Sequence, residues 1–313
     1  MKGTVTVPTT ARRLAIFALL LGFHLPAWGK LNVVATTSEY AALASAVGGD
    51  RVGVTTIAKP TEDPHFVDAR PSHIVALNHA DALIEGGAEL EVGWLPPLLD
   101  GARNPKIASG APGRIVASEG IQLLDIPSAA DRSQGDVHVA GNPHFMLDPL
   151  NARHVAEHIA AAFSALDAAG ASTYAANLAT FTGALDAKMQ AWTATLAPFA
   201  GREIVTYHPT WRYFANRFKL RAETFLEPKP GIPPSPPHLA EVIQKMAANN
   251  IKVVLVEPYQ PHKTAESVAS HNGATVVDVC QFPGGIEGTA GDYIKLLDVV
   301  VDRLSKALAA NAA

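Results

Sequence analysis

The sequence predicts an α/β protein of two lobes with mostly parallel sheets, joined by one long helix. Three observations carry this. Short β-branched runs alternate with helix-period stretches in both halves of the chain. The middle, residues 151–198, is alanine-rich and holds no strand candidate. Beyond an N-terminal leader, about 280 residues remain, more than one ordinary core takes and naturally divided into lobes of about 130.

The leader comes first. Arg12 and Arg13 precede an apolar run at 14–23, and Ala27-Trp28-Gly29 places small residues at the two positions a signal peptidase reads. A run of about ten residues is too short for a bilayer, which needs about 20. The expectation is a cleavable signal peptide over residues 1–29 and a mature chain starting at Lys30. The single cysteine, Cys280, excludes an internal disulfide and lies far from the cleavage site, so no lipid anchor is expected and free periplasmic export fits. Taking Lys2, Arg12 and Arg13 from the 25 basic residues leaves 22 against 29 acidic ones, a mature net charge of −7 that argues against nucleic acid as a partner.

The N-terminal lobe, residues 30–170, has strand candidates at 31–36, 52–58 and 81–85. Gly170 and Gly183 are the only glycines between 151 and 198, which reads as two helices, the first ending near Gly170. The second, 172–196, would be about 38 Å long, enough to bridge two lobes as a rigid spine. Residues 171–198 are therefore the linking helix and 199–313 the C-terminal lobe, with strand candidates at 203–207, 252–256 and 275–279. The proline-rich stretch EPKPGIPPSPPH, residues 227–238, reads as a stiff surface connection until Ser235, which can cap a helix with Pro236 at its first position. There is no internal repeat and no histidine-rich tract, only His138 in the polar loop 129–141.

Of twelve histidines, three sit in proline-marked turns: EDPHF (His65), NPHFMLDP (His144) and TYHPTW (His208). In open α/β sheets ligands bind outside the carboxyl ends of the strands, and His65 and His208 follow two of the strand candidates. The adjacent Pro64, Pro143 and Pro209 restrict the backbone, which suits a side chain that must point one way. Three neutral imidazoles with one further donor make a tetrahedral zinc site. Spacing alone leaves open that they are capping or hydrogen-bonding loop residues. HVAEH, residues 154–158, matches the inverted zinc-protease pattern, a weak signal when taken alone. His73, His79, His262 and His271 read as surface or core-edge residues, and Trp211, Tyr213 and Phe214 as lobe core walling the site.

The strings DPHFVDARPSHI, NPHFMLDPLNA, VTYHPTWRYFANRF and VVLVEPY resemble, in order and spacing, the metal-binding proteins of ABC importers for zinc and manganese, the group (cluster A-I) that includes the zinc-uptake and treponemal metal-binding proteins. The resemblance covers essentially the whole mature chain. It implies two four-stranded α/β lobes joined by one long helix, and a monomer that captures a metal ion between the lobes and delivers it to a membrane permease driven by an ATPase. It carries the family's first three ligands onto His65, His144 and His208. Manganese-selective members usually replace the third histidine by a carboxylate, so His208 favours Zn2+ as the transported ligand, with Mn2+ the alternative. The family's fourth ligand, an aspartate after the last strand, aligns with Gln281. That leaves Gln281, water, Glu287 or Asp278 after a loop shift, or Glu257 as the fourth donor. Glu257 also suits structural hydrogen bonding at a strand end. Asp63 and Asp148 are candidate acceptors that fix a ring tautomer.

Two rivals come from other classes. Three histidines with an open position is also the layout of a zinc-dependent hydrolase, for which Glu62 is the one nearby base. An adhesin on this fold has no support beyond the fold itself. The expectation is a binding protein with no catalysis of its own and little lobe movement, since a continuous helix has no free hinge.

Overall fold

The computed structural model describes residues 1–4, 29–127 and 138–311. Nearly all of the expected signal peptide lies outside the described residues. The N-terminal lobe is built on β1 (Leu31–Ala35), β2 (Val52–Thr56), β3 (Ala82–Glu85) and β4 (Arg114–Val116), all parallel, in the order β2-β1-β3-β4. Its helices are α1 (Ser38–Gly48), α2 (Pro71–Asn78) and α3 (Leu95–Ala102), followed by α4 (Pro149–Leu166). The C-terminal lobe repeats the plan with β5 (Glu203–Thr206), β6 (Arg221–Phe225), β7 (Val253–Val256) and β8 (Thr275–Asp278), parallel in the order β6-β5-β7-β8. Its helices are α6 (Arg212–Arg217), α7 (Pro236–Ala248), α8 (His262–Asn272) and α9 (Tyr293–Ala310). The two-lobed α/β fold predicted from the sequence is therefore present, and every predicted strand segment holds a strand.

Two strands escaped the sequence reading, β4 and β6, and both are edge strands. β4 has only three residues, and β6 (RAETF) alternates exposed and buried positions as its successive side chains point to opposite faces of the sheet. The buried apolar runs that gave the others away, such as the fully buried VVLV of β7, are absent there.

Between the lobes runs α5 (Ala171–Leu196), 26 residues and about 39 Å long. Its buried residues Tyr174, Phe181, Leu185, Trp192 and Leu196 recur at intervals of seven and four. Eleven residues make about three turns, so this stripe stays on one side from end to end. The first half of α5 is tied to the N-terminal lobe: Asn177 Nδ2 donates to Val47 O (3.0 Å), and the Tyr174 hydroxyl donates to Asp167, which also holds Arg51. The second half is tied to α9, where Asp298 accepts from Lys188 Nζ (2.7 Å) and Trp192 Nε1 (2.8 Å). One apolar cluster runs from Val33 and Ile84 through α1, α4 and α5 to Val277 and Leu304, so the lobes share a core. Rotating one lobe against the other would break that packing.

Further ties stitch the lobes beside the cleft. The Tyr213 hydroxyl donates to Asn142 O (2.7 Å) and accepts from Leu124 N (2.8 Å), and Arg217 makes a two-point pair with Asp148 (2.6 and 2.7 Å). No helix among the described residues is long and apolar enough to cross a membrane.

Candidate metal centre

His65, His144 and His208 come together at the carboxyl ends of the strands, between the lobes. One donor nitrogen from each lies within 4.8 Å of the other two, and they are the only such group of metal-ligating side chains among the described residues. Their ring centres are 5.2 Å (His65–His144), 5.3 Å (His65–His208) and 5.2 Å (His144–His208) apart.

Each ring is aimed by a hydrogen bond at Nδ1. Asp63 Oδ1 accepts from both the Nδ1 (2.8 Å) and the backbone N–H (3.0 Å) of His65, folding the turn back on itself. Trp94 Nε1 donates to Pro64 O (2.8 Å) and pins that turn to the lobe. His208 Nδ1 meets Glu227 Oε2 at 2.9 Å. The sheet register explains this pair: Thr206 of β5 lies opposite Phe225 of β6, so His208 and Glu227, each two residues further on, leave the sheet side by side. His144 Nδ1 meets Gln281 Oε1 at 3.0 Å, while Gln281 Nε2 donates to the Tyr259 hydroxyl (2.8 Å). A carboxylate or amide oxygen can only accept, so Nδ1 carries the proton in all three rings and Nε2 keeps its lone pair. Nε2 of His65 and of His144 are buried without a hydrogen-bond partner among the described residues.

Burial, reinforced by repulsion from the His208, His65 and His138 rings, holds His144 well below the ordinary histidine value. Burial also lowers His208, although Glu227 favours its charged form. Burial raises the Asp63 carboxyl, but the hydrogen bonds from His65 outweigh this and keep it below the usual range. His144 and His208 therefore present unprotonated nitrogens at neutral pH, the state a metal ion requires.

Among the described side chains, none of the expected fourth donors joins the three histidines. Gln281 instead orients His144, and its backbone N–H donates to Glu257 Oε1 (3.0 Å). Glu257 is buried and also accepts from Tyr259; burial pushes its carboxyl up to about 7 against the pull of these donors, the structural role open to it in the sequence. Asp278 is exposed and pairs with His262 (2.5 Å), and Glu287 lines a separate cavity with Arg303. Asp148, a candidate acceptor, caps α4 and pairs with Arg217 rather than touching a histidine. The HVAEH histidines lie on α4 beside Glu119, His154 on its carbonyl at 2.9 Å and His158 3.8 Å from its carboxylate, away from the centre. Trp211, Tyr213 and Phe214 are buried core, and Tyr213 adds the lobe tie described above.

Sequence reasoning missed two residues here. Glu227 opens the proline-rich stretch, and its role was hidden because β6 was not recognised. His138 lies against His65, ring centres 5.2 Å apart and planes at 28°, and its H-x5-H spacing to His144 was the only signal. Burial and repulsion from His65 and His208 bring His138 down to about 3. The centre borders a 220 Å³ cavity lined by Asp63, His65, His208 and Tyr259, and a 470 Å³ cavity lined by His138, His144, His208 and Arg212. A larger cavity, 860 Å³, is a groove beside α3 that contains none of these histidines.

Two lobes sharing a core, with histidines converging between them, define a rigid-spined solute-binding protein with a site the size of a single ion. The chain belongs to the family described as zinc-uptake complex component A, periplasmic, whose model matches residues 33–307. Among relatives, it is 28% identical over 286 residues to the iron-binding protein YfeA of Yersinia pestis, covering 88% of this chain and 86% of that protein. A crystal structure of ZnuA superposes with a TM-score of 0.74 at 25% identity, covering 89% of this chain and 99% of that one. FpvC of Pseudomonas aeruginosa, solved with Mn2+, shares the fold with a TM-score of 0.72 at 22% identity, covering 90% and 98%. The protein is thus a metal-binding, substrate-binding component of an ABC importer that works with a membrane permease, and not an enzyme.

Proposed function

We propose that this protein captures one zinc ion outside the cytoplasm through Nε2 of His65, His144 and His208 and hands it to its permease. The observation that carries the reading is the spacing of the three rings. A Zn–N bond of about 2.0–2.1 Å plus about 1.1 Å from nitrogen to ring centre puts each ring about 3.2 Å from the ion; tetrahedral directions then separate ring centres by about 5.2 Å, and right-angled octahedral ones by about 4.5 Å. The separations of 5.2, 5.3 and 5.2 Å match the tetrahedron. An all-nitrogen triad, with no carboxylate among the described residues joining it, also suits zinc over manganese, which prefers oxygen donors.

The chain's own residues divide the work. Asp63, Gln281 and Glu227 hold the Nδ1 protons and so the ring directions. The shared core and α5 limit closure to small adjustments around the ion. Export follows from the sequence: a leader over residues 1–29 is removed and the chain acts in the periplasm. No observation favours a hydrolase, since Glu62 accepts the Lys59 N–H (3.1 Å) inside its own turn.

Competition titration of Zn2+ against Mn2+ tests the metal. One equivalent of zinc, bound more tightly than manganese, is expected; tighter manganese overturns the zinc assignment. Unchanged stoichiometry after replacing all three histidines by alanine removes the site.

A further inference from the structure

We propose that His138 supplies the fourth ligand, completing an all-imidazole tetrahedron around the ion. This rests on the ligand assignment above and adds a residue from the loop that precedes His144.

His138 Nε2 is buried and has no hydrogen-bond partner among the described residues, and the same holds for Nε2 of His65 and of His144. A buried polar atom without a partner calls for one, and the other unpartnered nitrogens beside it cannot donate to it while they carry lone pairs. Its ring centre is 5.2 Å from that of His65, the edge length that the other three pairs share. Of the three edges that a fourth ring adds to the triad, this one is already in place. The ring also faces the 470 Å³ cavity onto which His144 and His208 open.

The donor nitrogen of His138 lies outside the 4.8 Å set, so its side chain must turn from the face of His65 toward His144 and His208. The backbone is held for such a turn. Gly141 N–H donates to His138 O (3.1 Å), and Val139 N–H donates to the Glu89 carboxylate. Glu89 itself projects from the turn after β3, in which Gly87, Ala88 and Glu89 all take positive φ (71°, 51° and 67°). The turn after β3 thereby fixes the segment of the same lobe that carries His138.

The competing oxygens among the described residues are spoken for. Asp63 accepts from His65 twice, Gln281 serves His144 and Tyr259, and Glu257 is buried beneath Gln281. A fourth imidazole displaces only the water that would otherwise complete the tetrahedron.

X-ray absorption on the zinc-loaded full chain counts the imidazoles, and chelator competition measures affinity for zinc. Wild type is expected to show four nitrogens from imidazole. His138→Ala and His138→Phe should each keep one equivalent, fall to three imidazoles plus an oxygen, and lose affinity by between about tenfold and 100-fold. Phenylalanine keeps a ring against His65 but has no donor, so wild-type affinity in His138→Phe would make stacking the role and overturn the proposal. Three imidazoles in wild type would do the same. His65→Ala is the control for the underlying reading: full zinc binding in that variant makes the triad wrong, an outcome separate from any result at position 138.

Discussion

His65 and His144 face the same centre but are aimed by different means. His65 is held by Asp63, two residues away in its own turn, whereas His144 is held by Gln281, 137 residues distant in the other lobe. Asp63 has 37% of its side chain exposed; Gln281 is buried. The first arrangement is local and wet, the second long-range and dry. A local partner survives small shifts of the lobes, while a distant one reports whether the lobes are correctly joined.

The largest expected difference comes from removing the two partners. Gln281→Leu strands the His144 Nδ1–H in a dry site, with a loss of about 10–100-fold in metal affinity and about 1–3 kcal/mol in stability. Asp63→Ala lets water take the acceptor's place, and less than about tenfold is expected. Chelator competition and denaturant unfolding on both variants check this, and equal losses would erase the contrast.

Acidification gives the next effect. His144 and His208 have folded pKa values below the unfolded value of about 6.5. In that window the unfolded chain binds more protons, so their contribution to stability is full above about pH 6.5 and is lost as pH falls toward their folded values. At His144 and His208, protons also compete with the metal only once pH falls below the ordinary histidine range. Zinc affinity should therefore stay level from about pH 8 to 6.5 and drop steeply below, measured by titration in steps across that range. A decline already complete at pH 6.5 would contradict the burial of the His144 side.

The smallest effect concerns the clasp that lets His144 answer to both lobes. Tyr213→Phe removes a hydroxyl that holds Asn142 O and Leu124 N–H. About 1–2 kcal/mol of stability, or about 2–4 °C in Tm, should be lost with affinity within about twofold. A large loss of affinity would instead place Tyr213 among the residues that position His144.

The same contrast decides what could be read beforehand. The turn EDPHF contains its own logic, since proline restricts the backbone and the aspartate two residues back folds onto the histidine. The helix at Ala171–Leu196 and the strand cores were equally legible, because an uninterrupted alanine-rich stretch and buried β-branched runs are local patterns. Glu227 was not legible: its use depends on β6 lying in register beside β5, and β6 is an edge strand whose alternating residues resemble a loop.

By itself, the sequence determined the two α/β lobes, the spine between them and the three histidines in proline-marked turns. Only the tertiary structure decided that Gln281 serves His144, that Glu257 lies beneath it and that His138 stacks on His65. The physical reason is range. Backbone preference and hydrophobic period act within a few residues, whereas the direction of a buried ring is set by whichever polar group the packing of distant strands brings to its Nδ1.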